Sequence, residues 1–285
     1  MAVKNHRAPI PSTRVKYVDD LTLAESINLK QRLILNTNPT LPPSFHCRTG
    51  HLLATSKLQD QLDELLDYTN VNLMKLNEKK SKVMILNPAH TLDFPPRLTF
   101  NGIDFMEVID AIKLVGIMIT SDLKWRKNTA NLVKKGMGKI WMIRRLKNIG
   151  ATTEELLEVY KLQVRSTLGL AAPVWHSGIT GEESDDLERV QKIAFRIILG
   201  ENYCSYDIAV TTLEEELLST RREGQCMKFA RKLSIDPRFK DKFCKPHERD
   251  TRAEPTPFME QRTRTARFYK SPIPYFTRLL NRQSL

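Results

Sequence analysis

The sequence predicts an α+β chain, with short strands and one helix first and helices afterwards. Three observations carry this. Before Ser121, brief runs of β-branched and aromatic residues are bounded by turn formers such as Asp19-Asp20 and Asn101-Gly102. After Ser121, apolar residues return at helical spacing, in several runs with acids early and bases late. The 285 residues are 41% apolar, enough to bury a core in one large or two small domains, and no internal repeat of fixed period is visible.

In chain order, Arg14 to Leu23 reads as two short strands around a tight Asp-Asp turn. A short helical stretch follows, then the loop "NTNPTLPPSFHCRTG", whose prolines break any regular element. From Leu52 to about Leu73, Leu58, Leu62, Leu65, Leu66 and Leu73 recur at helical spacing among acids, which predicts an amphipathic helix. "KVMIL" reads as a buried strand, and "RLTFNGIDF" as a hairpin turning at Asn101-Gly102. "IKLVGIMIT" reads as one further strand, its Gly116 suggesting a close approach of another group to the backbone.

The run from about Arg126 to Lys147 is the first of the later helices. Its Val133, Met137, Ile140 and Trp141 are expected to pack, while Lys127, Lys134 and Arg145 fall on a second stripe that can face phosphate. "TTEELLEVYKLQVRSTLGLAAPVW" begins with a threonine cap and is expected to run until Pro173. "EESDDLERVQKIAFRIILG" repeats the design and ends at Gly200. Two more helices are expected near 211–219 and 221–234, and beyond Asp236 repeated prolines predict an extended, partly ordered tail. The domains so read are 1–122, 123–200, 201–236 and a basic, proline-rich 237–285.

Net charge is +12 and unevenly distributed. Between Leu123 and Thr153 stand Lys124, Arg126, Lys127, Lys134, Lys135, Lys139, Arg144, Arg145 and Lys147, with no Asp or Glu among them. Such a run attracts polyanions, and each phosphate it neutralises releases counterions, so RNA or DNA is the expected partner, without sequence preference. The alternative is a solvated helix face. The apolar runs are too short to span a membrane and the N-terminal residues lack the apolar core of a signal peptide, so the expected location is intracellular, nuclear or cytoplasmic. Cys47, Cys204, Cys226 and Cys244 form no CxxC pair, and the nearest candidate ligand pairs, His46 with Cys47 and Cys244 with His247, are far apart in sequence, so reduced thiols are expected rather than disulfides or zinc. Trp125, Trp141 and Trp175 could stack on bases, but the stripe around Trp141 favours core packing there, and His176 reads as a helix-end residue.

The ordered set "YVDD", "LNEKKSKVMI", "KLVGI", "VRSTLGLAAPVW" and "LERVQKIAFRIILG" resembles the C-terminal part of a reverse transcriptase, an RNA-directed DNA polymerase, from a LINE-type (non-LTR) retrotransposon. The resemblance covers nearly the whole chain. It implies a partial palm of hairpins plus a helix, then a helical thumb domain and helical C-terminal region. Tyr17-Val18-Asp19-Asp20 matches the catalytic tetrapeptide, which implies Asp19 as a direct Mg²⁺ ligand, Asp20 as a supporting one and Tyr17 near the incoming deoxynucleoside triphosphate. Lys80 matches a palm lysine that would donate a proton or touch the triphosphate, although "EKKSK" reads equally as a polar turn before a strand, and Leu114 and Gly116 fall in the primer-gripping strand. The resemblance also implies that the basic helix, with Lys127, Lys134, Lys135, Lys139, Arg144 and Arg145, holds nucleic acid.

Nucleotidyl transfer needs two divalent cations about 4 Å apart, held by carboxylates against phosphate repulsion. The family carries a further metal-binding Asp and the fingers upstream of the tetrapeptide, whereas residues 1–18 contain no Asp or Glu. The expectation is a truncated descendant without polymerase activity of its own, since phosphoryl transfer depends almost wholly on positioning. The purified chain should extend no primer on an RNA template with Mg²⁺ or Mn²⁺; extension that disappears in Asp19→Ala would overturn this.

Two other classes are distinguishable. A binding module would keep the helical region without chemistry. The segment from Lys127 to Ser166 also resembles a helical region attached to AlkB-like tRNA-modifying proteins, but none of the six histidines is followed two residues later by Asp, as a dioxygenase metal site requires. Gly136-Met137-Gly138 lies inside the basic helix, away from any strand that could make it a methyltransferase loop.

Overall fold

The structure, a computed structural model, describes residues 12–17, 20–25, 58–74, 76–77, 80–86, 98–100, 104–243 and 257–282, with the backbone alone for 12–17, 20–25, 100 and 104–105. It is mostly helical with a few short strands, an α+β chain. It divides into two compact units, Met1–Ile112 with Ser121–Leu123, and Lys113–Thr120 with Lys124–Leu285.

In the first unit, β1 (Ser12–Tyr17) pairs antiparallel with β2 (Asp20–Glu25) in a register that sets Tyr17 opposite Asp20. Val18 and Asp19, which connect them, lie outside the described residues, as do the predicted 36–50 loop and the Asn101-Gly102 turn. Helix α1 (Leu58–Val71) buries Leu62 and Leu66 against Leu98, with Leu58, Leu76, Val83 and Met106 around them. The helix stops short of Leu73, which is left exposed at φ 54°. The Gln59 side chain holds the backbone of Thr99 from both sides, donating to its carbonyl at 3.0 Å and accepting from its N–H at 2.8 Å. Thr99 opens β4 (Thr99–Phe100), paired antiparallel with β5 (Asp104–Phe105).

The expected buried strand at "KVMIL" is shorter and shallower. Only β3 (Lys82–Val83) is a strand, parallel to β6 (Glu107–Val108), and Leu86 is exposed. The expected single strand "IKLVGIMIT" is instead a hairpin of β7 (Ala111–Leu114) and β8 (Ile117–Thr120). Val115 and Gly116 both have positive φ, 48° and 86°, the pattern of a tight two-residue turn. Glycine adopts that conformation freely; valine does so at a cost, so Gly116 is where the strand breaks.

In the second unit, α2 (Arg126–Asn148) crosses α6 (Gly181–Leu199), with the broken helix α3 (Thr153–Val159), a π-helical segment Tyr160–Arg165 and α4 (Ser166–Leu168) packed alongside. Both α3 and α6 begin with a capping box, Thr152 with Glu155 and Thr180 with Glu183. The fully buried core includes Ile143, Tyr160, Val164, Leu168, Leu187, Val190 and Phe195. The Tyr160 hydroxyl donates to Gln191 Oε1, its ring meets Phe195 edge-on at 5.1 Å, and Gln191 Nε2 donates to the Glu216 carbonyl at 2.9 Å. Burial holds the Tyr160 phenol far above its ordinary range, so it acts as a neutral donor.

Pro173 does not end the α3–α4 run as expected. The run stops at Gly169, and Pro173 lies in the first turn of α5 (Ala172–Trp175), where a missing N–H costs no helical hydrogen bond. The helix expected near 211–219 is displaced: α7 (Tyr206–Thr212), begun by a Ser205 cap, ends where it was to start, and residues 213–217 form a turn and irregular chain; α8 (Leu218–Ile235) covers the helix expected at 221–234. The tail is the larger correction. After α9 (Ala266–Tyr269), α10 (Pro272–Arg282) buries Phe276, Leu279 and Leu280 against Cys226, Ala230 and Phe243. Asn281 holds the Phe258 backbone at both its carbonyl and its N–H. The Cys226 thiol is pushed up to about 12 by burial, which makes it an inert core residue. No helix among the described residues is long and apolar enough to cross a membrane.

Candidate nucleic-acid interface

Helix α2 is held from one side. Its buried residues are Asn128, Thr129, Leu132, Gly136, Ile140 and Ile143, a face with only three large apolar side chains. Gly136 permits the close crossing: a Cβ there would meet Leu168 Cδ2 at 2.9 Å and Val190 Cγ1 at 3.2 Å. At the helix start, Asn128 Oδ1 accepts from the Met118 N–H at 3.1 Å and ties α2 to β8. The packing stripe is therefore not the expected one. Ile140 belongs to it and Val133 lies partly buried at its edge, but Met137 and Trp141 face outward, Trp141 at 61% exposure. Adjacent residues lie about 100° apart on a helix, so Ile140 and Trp141 cannot both point into one narrow face.

The opposite face carries the charge. Lys127, Lys134, Lys135, Arg144 and Arg145 are all exposed. Lys127, Lys134 and Trp141 recur every seven residues, which returns them to within about 20° of one line, and Arg145 follows Trp141 one turn on. The Arg145 guanidinium lies over the Trp141 ring, 5.4 Å from its centroid. Two cations of the run are used inside the fold. Lys139 is half-buried, donating to the Gln163 carbonyl at 3.1 Å and to Thr167 Oγ1 at 2.8 Å, so it braces α2 against the π-helical segment and is removed from the expected phosphate contacts. Lys147 donates to the Ile197 and Ile198 carbonyls, neutralising the C-terminal end of α6.

Tyr17 and Asp20 are described in backbone only and Asp19 lies outside the described residues. Lys80 is exposed in a polar turn organised by Asn77, whose carbonyl and side-chain oxygens accept from the Lys80 N–H at 3.1 and 3.2 Å. Gly116, in its hairpin turn, faces the Leu170 side chain, which a Cβ would meet at 3.3 Å. Leu114 is the last residue of β7. Among the described residues no group of three or more His, Cys, Asp or Glu is placed to hold a metal ion. The candidate cysteine and histidine ligands His46, Cys47, Cys244 and His247 lie outside the described residues.

Sequence reasoning placed Trp141 in the core and overlooked an inward cluster. Arg222 on α8 is 1% exposed; its Nη2 donates to Ser184 Oγ at 2.7 Å and its Nε to His176 Nδ1 at 3.4 Å. Burial, then the neighbouring guanidinium, push the His176 imidazole down to about 4. No family model matches the chain, and neither a curated protein nor a solved structure does.

Proposed function

We propose that this chain is of LINE-type reverse-transcriptase descent and binds RNA or DNA without sequence preference through the solvent face of α2. The observation that supports this best is the outward line of Lys127, Lys134 and Arg145, flanked by exposed Lys135 and Arg144, in a stretch with no acid from Leu123 to Thr153. Evenly mixed charge would characterise a merely solvated helix; one sign alone builds a field that draws phosphate. The descent rests on the motif order and on the pairing of Tyr17 with Asp20 in a hairpin. In a site of that family, which takes Mg²⁺ and a deoxynucleoside triphosphate, the carboxylates of Asp19 and Asp20 would supply oxygen ligands suited to a hard cation.

Binding can be tested through salt. If Lys127, Lys134 and Arg145 each neutralise one phosphate, they contribute about −2.7 to the slope of log affinity against log salt for duplex DNA, by roughly −0.9 per phosphate. Changing all three to Gln should flatten the slope by that amount with helix content intact, because Gln is nearly as good a helix former as Lys or Arg. An unchanged slope would leave α2 a solvated face.

A further inference from the structure

The charge run alone accounts for phosphate contacts, and duplex DNA would satisfy them. Trp141 is not explained that way. A large aromatic side chain 61% exposed in the middle of a helix has given up most of the burial that normally fixes it. It stands on the same line as Lys127 and Lys134, and Gly138 beside it leaves open space, with nothing within 4 Å of where a Cβ would lie. Along the axis, at about 1.5 Å per residue, Lys134 precedes the indole by about 10 Å and Arg145 follows it by about 6 Å. The indole thus stands between cations along a path that a nucleotide chain could follow.

We propose that Trp141 is a stacking platform for an unpaired base, so that α2 prefers single-stranded nucleic acid, or a frayed end, over intact duplex. This rests on the nucleic-acid reading of the same face. A base inside a duplex has both faces covered by its neighbours, whereas an unpaired base offers a face to the indole, and such stacking tolerates any sequence. Arg145, already over the ring, continues the platform and supplies the adjacent phosphate contact. A second copy of the chain is the poorer occupant, because two such faces would bring like charges together.

The test uses the full chain with a 12-nucleotide single strand of mixed sequence, as DNA and as RNA, and with the matching duplex. Single strand should quench tryptophan emission, and Trp141→Ala should abolish that quenching. It should weaken single-strand binding roughly 5- to 150-fold, the range for one base–aromatic stack, while duplex affinity changes less than twofold. Trp141→Phe should restore most of the affinity. Equal losses on single strand and duplex would overturn the platform, as would a Trp141→Ala chain that unfolds. Unchanged affinity in Trp141→Ala, with the salt slope still carried by Lys127, Lys134 and Arg145, would overturn it and leave the phosphate reading standing. Failure of the unaltered chain to bind any of the three probes would overturn both. Self-association through Trp141 without nucleic acid, seen by sedimentation, would assign the ring to a protein contact instead.

Discussion

Replacing Trp175 by alanine is expected to cost about 3–5 kcal/mol, the usual range for removing a fully buried tryptophan. The indole has no exposed surface and sits in the main core of the helical unit. Its Nε1 donates to the Leu170 carbonyl at 2.8 Å, across the break between α4 and α5, and the buried Arg222 guanidinium lies 5.9 Å from its centroid. The substitution therefore leaves a cavity, an unpaired carbonyl and a guanidinium with one face uncovered. Against a total stability of about 5–15 kcal/mol this is a large fraction. Thermal unfolding followed by helical circular dichroism should show a midpoint lower by about 10 °C or more. Trp175→Phe keeps most of the volume and loses the donor, so it should cost about 1–3 kcal/mol. A midpoint within two or three degrees of the unaltered chain in Trp175→Ala would show that this core is looser than its burial implies.

The contrast between Trp175 and Trp141 shows what patterning could and could not read. Element existence was legible wherever caps and periodicity agreed: α3 and α6 start at threonines with Glu three residues on, and α6 ends at Gly200. The face of α2 was misread because its buried side is built from Asn128, Thr129 and Gly136 as much as from Leu132, Ile140 and Ile143. A crossing close enough to exclude a Cβ at Gly136 needs small residues, and hydrophobic spacing does not register them. The tail was misread for the opposite reason. Prolines at 272 and 274 looked like breakers, yet in the first turn of α10 they cost no hydrogen bond, and Ile273, Phe276, Leu279 and Leu280 supply the helical period. The candidate site was half legible: the charge run and the line of Lys127, Lys134 and Arg145 followed from composition and spacing. The diversion of Lys139 and Lys147 into structural bonds depends on partners 24 to 51 residues away in sequence, which no local pattern reports.

Glu188→Ala is expected to be the other severe change, about 2–5 kcal/mol, because it leaves two donors without their acceptor and removes a carboxylate that favours the charge of Arg222. Glu188 is buried on α6; its Oε2 accepts from the Tyr206 hydroxyl at 2.6 Å and its Oε1 from the Ser219 N–H at 2.7 Å, so one carboxylate joins α6, α7 and the first turn of α8. One turn further along α8 stands Arg222, whose charged form is disfavoured by burial and supported first of all by Glu188. Removing the carboxylate leaves the Ser219 N–H and the Tyr206 hydroxyl without their acceptor and takes away a nearby negative charge that favours the guanidinium. The two arms can be separated by a double-mutant cycle. Arg222→Met removes the cation while filling similar space, so in that background Glu188→Ala should lose only the hydrogen-bond part, about 1–3 kcal/mol. The three tryptophans all lie in this unit, so denaturant unfolding followed by their emission reports it directly. Strict additivity of the two substitutions would mean that Arg222 draws its support from Ser184 and His176 alone. A loss below about 1 kcal/mol in the single Glu188→Ala variant would mean that water replaces the carboxylate at both donors, as it does for an exposed hydrogen bond.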